Sequence, residues 1–207
     1  MNQEIIGYVF ATFLGGILSL ILCIYALITI KKTPGGRFYI LATFFSSFFT
    51  FSYGFELLSK DLEQIKFWLR MEYIALPLIP VFILFMCLSY VGKKINRYLR
   101  IFLYVLPITT TLMQITNEYH HLYYSSVSLR GDSLNPIVEL EGGLWFIVHS
   151  IFLYAIIAAS IVVLLLEIKK VTTKFRKQIL WMNPHRTEAS YIKDTSHNRN
   201  DQTQLSS

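Results

Sequence analysis

Among the polar and ionisable residues within or beside the long apolar stretches of the chain, five are candidates for a ligand site. They are Glu56, Arg70, Glu72, Tyr73 and His149. Ionisable groups are costly inside a bilayer and frequently mark functional sites there. An arginine in such a set would suit a ligand's carboxylate or phosphate group, because a guanidinium forms paired hydrogen bonds with both. The sequence therefore predicts a ligand pocket formed by these five residues.

Two of these residues flank a short, acidic connection between apolar stretches. Glu56 precedes the connection and Arg70 follows it, so their side chains are expected to lie close enough for an ion pair. Such a pair either fixes a hairpin of two helices or lines the pocket, and the sequence leaves both interpretations open. The sequence also leaves open two interpretations of His149, as a hydrogen-bonded histidine at a helix interface or as a pH-sensitive group.

The sequence has little that points to catalysis or to a bound cofactor. Cys23 and Cys87 lie in apolar runs and are typical of small buried side chains. A haem in a membrane usually requires two histidines on facing helices, and His149 is the single histidine inside an apolar run. Neither a nucleotide-binding loop nor a metal-binding spacing occurs in the sequence. We therefore expect no catalytic residues, no metal and no cofactor.

Five apolar runs supply the helices that must position these residues. They cover about residues 5–30, 38–58, 72–92, 100–117 and 142–166. Roughly 20 helical residues cross a bilayer core of about 30 Å, and the alternating strands of a transmembrane β-barrel are absent from the sequence. The pattern predicts an all-α fold, a polytopic membrane bundle of five transmembrane helices.

The composition agrees with a membrane protein. Hydrophobic residues make up 54% of the 207 residues and charged residues only 15%, whereas about 25% of a soluble domain is charged. This disfavours an ordinary cytosolic enzyme. The formal net charge of +6 is concentrated in the segments that follow the first, third and fifth runs. By the positive-inside rule these segments are cytoplasmic and the N-terminus is outside, so the charge indicates a lipid bilayer and not a nucleic acid as partner.

The chain is expected to have one membrane domain and one tail. Residues 1–182 contain the apolar runs, whereas residues 183–207 are polar and without periodicity, which is typical of a disordered cytoplasmic tail. The longest connection, residues 116–141, is expected to be a turn-rich loop over the outer mouth of the bundle. Pro77 and Pro80 lie inside the third run and are hinge candidates, although a static kink is the alternative that we favour.

Several short motifs follow one another along the chain in a recognisable order. They lie at residues 53–57 (YGFEL), 66–73 (KFWLRMEY), 77–92, 116–122, 143–154 and 175–178. In order and spacing they resemble the N-terminal seven-helix transmembrane sensor region of bacterial histidine kinases and related diguanylate cyclases. The resemblance covers about residues 1–182.

This resemblance implies a sensory input module in a bacterial cytoplasmic (inner) membrane, with no catalysis of its own. It implies a homodimer, or a separate kinase or cyclase, as the partner, and it leaves the ligand open. The family continues through a sixth and a seventh helix into cytoplasmic signalling domains. Here residues 179–182 resemble the start of the sixth helix and a polar segment then follows, so we expect a truncated or remodelled sensor without an output domain.

The alternative interpretation is a small transporter or channel component. Such a protein needs polar groups along an interior path at the middle of the membrane. The first and fifth runs offer little beyond Ser19, Thr29 and Ser160, so the sensory module is the interpretation that we favour.

Overall fold

The computed structural model describes residues 3–130 and 137–181, and the side chains of residues 5–128 and 138–170 among them. The elements in chain order are α1 (Gln3–Thr29), α2 (Gly36–Leu58), α3 (Leu62–Ala75), α4 (Ile79–Tyr90), α5 (Arg97–Ile115), α6 (Asn117–His120), β1 (Tyr124–Arg130), β2 (Ile137–Gly142) and α7 (Leu144–Trp181). The chain divides into two compact units, Met1–Leu164 and Leu165–Ser207. The predicted tail at residues 183–207 lies outside the described residues.

Five helical stretches of the described residues are long and apolar enough to cross a membrane. They are Ile5–Thr29, Gly36–Leu58, Leu62–Tyr90, Arg97–Ile115 and Leu144–Lys170. Many of their large apolar side chains are exposed, among them Phe10, Ile28 and Ile151. A water-soluble protein rarely exposes so much contiguous apolar surface. The chain is therefore a multi-pass membrane protein, as the five apolar runs predict.

Two clusters of buried apolar side chains are found among the described residues of the first unit. One packs α4 against α5 and α7 and consists of Val81, Leu84, Phe85, Leu103, Phe152 and Ile156. The other joins α3 to the segment that enters β1 and consists of Leu69, Tyr73, Tyr123 and Tyr124. The second cluster is rich in tyrosine, so it brings hydroxyl groups into the core.

α1 and α2 pack closely because small residues lie at their contact. The phenyl ring of Phe13 covers Gly54, where an added β-carbon would lie 3.1 Å from the ring. The hydroxyl of Ser47 donates to the carbonyl of Gly16 across the same contact, at 2.9 Å. Small residues allow membrane helices to approach one another, and this contact fixes the end of α2 that carries Glu56.

The third span is broken into α3 and α4 at Pro77. Proline has no N–H, so the carbonyl of Tyr73, one turn earlier, loses its usual helical donor. The hydroxyl of Thr111 on α5 donates to this carbonyl instead, at 2.7 Å. Pro80 lies in the first turn of α4, where a missing N–H is tolerated. The two hinge candidates thus lie at the break and just after it, and bending at this break stays a prediction.

α3 begins earlier than the apolar run indicates. The predicted third span starts at residue 72, whereas α3 starts at Leu62. Its first turns carry Glu63, Lys66 and Arg70. A span predicted from an uncharged apolar run does not include these charged turns. Glu72 therefore lies well inside a helix and not at its beginning.

A β-hairpin occupies part of the connection that the sequence predicts to be a loop. β1 and β2 pair antiparallel, with Val127 opposite Leu140 and Leu129 opposite Val138. Polar and apolar residues alternate in both strands, which is a strand pattern. The all-α expectation is therefore incomplete, because a two-stranded sheet lies between the fourth and fifth spans. We call the end of the bundle that carries this hairpin and the first turn of α1 the hairpin end.

α7 is one uninterrupted helix over Leu144–Trp181, and this corrects the expectation at residues 175–181. The sequence motifs predict that a fifth helix ends before these residues and that a sixth begins within them. α7 contains neither glycine nor proline, so no residue breaks the helix where its apolar run ends. Hydropathy locates the membrane, whereas capping and helix-breaking residues locate the end of a helix.

Candidate functional site

A cavity of about 500 Å³ lies at the hairpin end of the bundle. α2 and α3 form two of its walls, and the first turn of α1 and the hairpin contribute the rest. Its polar lining residues are Tyr53, Glu56, Ser59, Glu72, Tyr73 and Tyr124, and the other lining side chains are apolar. We call it the hairpin-end cavity.

Helical periodicity brings the lining residues to one face of each helix. On α2, Tyr53 and Glu56 are three residues apart. On α3, Ile65, Leu69 and Glu72 follow at intervals of four and three. Residues at these intervals lie on the same side of a helix. The apolar face of α3 that borders the cavity is therefore interrupted by a carboxyl group.

Two carboxyl groups meet in this cavity. Glu72 is 5% exposed, and it lines the same cavity as Glu56. Among the described residues, no N–H or O–H group donates to Oε1 of Glu72. No described lining residue is basic. A buried carboxyl group normally has a donor or a counter-ion, and the described lining residues include no basic side chain that could provide a counter-charge.

A chain of aromatic side chains leads from the cavity to α7. The hydroxyls of Tyr73 and Tyr124 share a hydrogen bond of 2.7 Å, and the ring of Tyr123 lies with its centroid 4.9 Å from each of the two other rings. The hydroxyl of Tyr123 shares a hydrogen bond of 2.8 Å with Nδ1 of His149 on α7. We call these four residues the aromatic chain.

Burial determines the protonation of the two tyrosines that lie outside the spans. It raises the pKa of the Tyr123 hydroxyl above its ordinary value. It also raises the pKa of the Tyr124 hydroxyl, and the neighbouring Tyr73 adds to this effect. Both hydroxyls therefore stay protonated at neutral pH and keep a hydrogen to donate within the aromatic chain.

Asn117 fixes the two tyrosines that enter the hairpin. Its Nδ2 group donates to the carbonyl of Tyr124 at 2.9 Å. Its Oδ1 atom accepts from the backbone N–H groups of Tyr123 and Tyr124, at 2.9 and 3.1 Å. One side chain just beyond the end of α5 therefore anchors the start of the hairpin.

A comparison with known protein families matches residues 11–183 to the N-terminal 7TM region of histidine kinase. The chain belongs to this family. This membership confirms the resemblance that the sequence motifs indicate. The matched range includes the whole aromatic chain and every lining residue of the hairpin-end cavity except Ile5. No curated protein and no solved structure matches the chain.

The structure of this histidine-kinase 7TM region separates the five predicted pocket residues. Glu56, Glu72 and Tyr73 line the hairpin-end cavity together. His149 is buried at 3% exposure and lies behind Tyr123, where it joins α7 to the hairpin. Three of the five residues therefore share one cavity, and His149 contacts that cavity only through the aromatic chain.

Arg70 forms an ion pair with Glu118, so the predicted pair of Arg70 with Glu56 is wrong. Nη2 of Arg70 lies 2.6 Å from Oε1 of Glu118, and Nζ of Lys66 approaches the same oxygen at 3.6 Å. Two residues along a helix differ by about 200° in direction, so Arg70 and Glu72 point to opposite sides of α3. A pocket in which the guanidinium of Arg70 lies beside the two carboxyl groups is therefore not formed.

The sequence alone does not single out Asn117, Tyr123 or Tyr124 as parts of this site. A local signal exists for Asn117, because a polar residue directly after an apolar helix is a common anchor for the next segment. No local signal shows that Tyr123 meets His149, since the two lie on different elements. Among the described residues, no group of three or more His, Cys, Asp or Glu side chains could hold a metal ion.

Proposed function

We propose that this 7TM region is the sensory input module of a bacterial histidine-kinase system in the cytoplasmic (inner) membrane, and that the hairpin-end cavity receives its stimulus. The observation that carries the proposal is the aromatic chain. Tyr73 and Tyr124 line the cavity, and Tyr123 contacts both of them and bonds to His149. A change in the content of the cavity can therefore reach α7, the last helix of the matched range.

The distribution of basic residues supports an orientation for this module. Lys31, Lys93 and Lys94 follow the first and third spans, at the end of the bundle opposite the hairpin. Cytoplasmic segments are enriched in lysine and arginine, so the hairpin end faces the outside. In this orientation the cavity meets compounds from outside the cell, and α7 runs towards the cytoplasm.

A ligand acts on such a module by binding one conformation more tightly than another. Tyr73 lies one helical turn before the Pro77 break and also lines the cavity. A ligand that displaces Tyr73 therefore acts on α3 and on the aromatic chain at once. The module performs no catalysis in this proposal, and phosphorylation belongs to a kinase partner that responds to α7.

The test is whether the chain changes the output of a kinase. A tagged copy is cross-linked in membranes, and the kinase that it captures is reconstituted in vesicles with and without the chain. We expect the autophosphorylation rate to differ between the two. Tyr123→Phe removes the hydroxyl that bonds to His149 and should abolish this difference.

Tyr8→Phe is the matched control, because Tyr8 is 68% exposed on α1 and is not part of the aromatic chain. It should leave the effect on the kinase unchanged. If the tagged chain captures no kinase, or if the autophosphorylation rate is the same with and without it, the chain is not a sensory input module.

A further inference from the structure

We propose that the hairpin-end cavity binds a small organic cation, an amine with an apolar body, whose charged nitrogen lies against the carboxyl groups of Glu56 and Glu72. The proposal rests on the proposed sensory function in one respect: the amine would be the stimulus that the module detects. The binding itself is a separate property of the cavity, and it can be measured without any kinase.

The first argument is charge. Glu72 is 5% exposed and lines the cavity, and its Oε1 atom has no hydrogen-bond donor among the described residues. The two basic side chains near it on α3, Lys66 and Arg70, both turn to Glu118 on the other side of the helix. A carboxyl group in this position is satisfied best by a donor with positive charge.

The second argument is the presence of two acceptors. Glu56 and Glu72 line the same cavity, and the oxygen atoms of their carboxyl groups accept hydrogen bonds. A primary ammonium group has three N–H donors, as in lysine, and can therefore donate to both carboxyl groups and to one hydroxyl.

The third argument is the remaining lining. The rings of Phe49 and Tyr53 lie parallel, with an angle of 2° between their planes, and both border the cavity together with the ring of Tyr124. Aromatic faces attract a cation that lies over them. The other walls are apolar side chains of α2, α3 and β2, which suit a hydrocarbon body, and about 500 Å³ lies within the usual range for small-molecule sites.

The same lining argues against other ligand classes. An anion would meet two carboxyl groups and no basic side chain among the described lining residues. A calcium ion takes about six to eight oxygen ligands, whereas the described residues contain no group of three or more candidate metal-binding side chains. An organic cation needs neither an arginine nor a full coordination shell.

Direct binding to the full chain in lipid nanodiscs tests the proposal. The probes form a series with one apolar body and three charges: 2-phenylethylammonium, 2-phenylethanol and phenylacetate. Isothermal titration calorimetry, with empty nanodiscs to subtract partition into lipid, should detect binding of the ammonium compound alone. Glu72→Gln should weaken this binding by about tenfold or more, because it replaces a charged acceptor by a neutral one.

Glu56→Gln should weaken binding in the same direction and provides a second variant if Glu72→Gln does not fold. Glu63→Gln is the matched control, because its side chain is 80% exposed on the same helix and does not line the cavity. It should leave the affinity unchanged.

Three outcomes would overturn the proposal: equal binding of the neutral or anionic probe, no effect of either cavity substitution, or no binding of the cation at any pH between 5 and 8. If the cation binds and the kinase does not respond, the ligand class stands and the sensory function fails. If the kinase responds to the chain and no cation binds, the sensory function stands and the ligand class is wrong.

Discussion

Among single residues, Asn117 is important for the hairpin end, because its one side chain forms several hydrogen bonds to the backbone there. It makes three hydrogen bonds to the backbone of Tyr123 and Tyr124, and all three residues are buried. Buried backbone groups that lose their partners destabilise a fold by more than the net value of the hydrogen bonds. The positions of both tyrosines in the aromatic chain therefore depend on one amide.

Asn117→Ala should lower the free energy of unfolding by about 2 to 3 kcal/mol, because it leaves these backbone groups unpaired in the core. The measurement is unfolding of the purified chain in mixed detergent and SDS micelles. The matched control is Asn96→Ala, which removes a single exposed hydrogen bond at the start of α5 and should lower stability by about 1 kcal/mol or less. Equal losses in the two variants would contradict the role of Asn117.

At the residue scale, the sequence indicates candidate residues by their type but does not indicate the direction in which each side chain points. Glu56, Glu72 and Tyr73 can be recognised as candidate site residues because polar groups are costly within or beside apolar runs. Arg70 is recognisable by the same argument, but its partner depends on the turns of α3 before residue 72 and on Glu118 beyond α5. Neither the start of that helix nor the approach of a distant segment can be read from a hydropathy pattern.

Among the elements, the third span is unusual because a side chain of another helix replaces the hydrogen bond that is lost at its break. Pro77 removes a helical donor, and the hydroxyl of Thr111 supplies another donor to the carbonyl of Tyr73. Membrane helices tolerate proline where a neighbouring side chain satisfies the freed carbonyl. The break therefore couples α3 to α5 at the floor of the hairpin-end cavity, next to a residue that lines it.

A double-mutant cycle can measure this coupling. Thr111→Val should lower the free energy of unfolding by about 1 kcal/mol, because it removes the hydroxyl and leaves the carbonyl of Tyr73 without a donor. Pro77→Ala restores an N–H that can bond to the same carbonyl. In the Pro77→Ala background, Thr111→Val should therefore have almost no effect on stability.

Thr109→Val is the control for the loss of a threonine hydroxyl on α5, since among the described residues the hydroxyl of Thr109 donates to the carbonyl of Val105, within its own helix. It should be close to neutral in both backgrounds. If Thr111→Val destabilises the chain equally with and without Pro77, the hydroxyl does not compensate for the proline.

Element-scale prediction from the sequence succeeds for the helices and misses the hairpin. Long apolar runs specify spans because a helix satisfies its own backbone hydrogen bonds in lipid, and the described residues contain five helical stretches that are long and apolar enough to span a membrane. The hairpin also has a signal, because Val127, Leu129, Val138 and Leu140 alternate with polar residues. That signal is short and lies in a segment with many turn-forming residues, so composition outweighs periodicity when the segment is interpreted as a loop.

At the scale of the whole molecule, the distribution of charge and the position of the cavity are consistent with each other. The cavity lies at the hairpin end, and the basic segments that follow the first and third spans lie at the opposite end. This distribution of charge predicts that the hairpin end faces outside. The orientation matters for function because it decides which side of the membrane supplies a ligand.

Labelling with a membrane-impermeant maleimide can determine this orientation. Ser128 on β1 and Lys94 after α4 are both exposed, and the native Cys23 and Cys87 are buried. Ser128→Cys should react in intact cells, whereas Lys94→Cys should react only after the membrane is permeabilised. The reverse pattern would place the cavity on the cytoplasmic side and remove extracellular compounds as its ligands.

The break at Pro77 has a consequence for how this family evolves. The proline removes the usual donor of the Tyr73 carbonyl and the hydroxyl of Thr111 replaces it, so the residue at each position limits which residues are tolerated at the other. A lineage that replaces the proline regains a backbone N–H and is then free to lose the threonine, whereas a lineage that loses the threonine first must pass through a less stable intermediate. Substitutions at these two distant positions should therefore appear together in aligned members of the family, with the change of proline on the earlier branch.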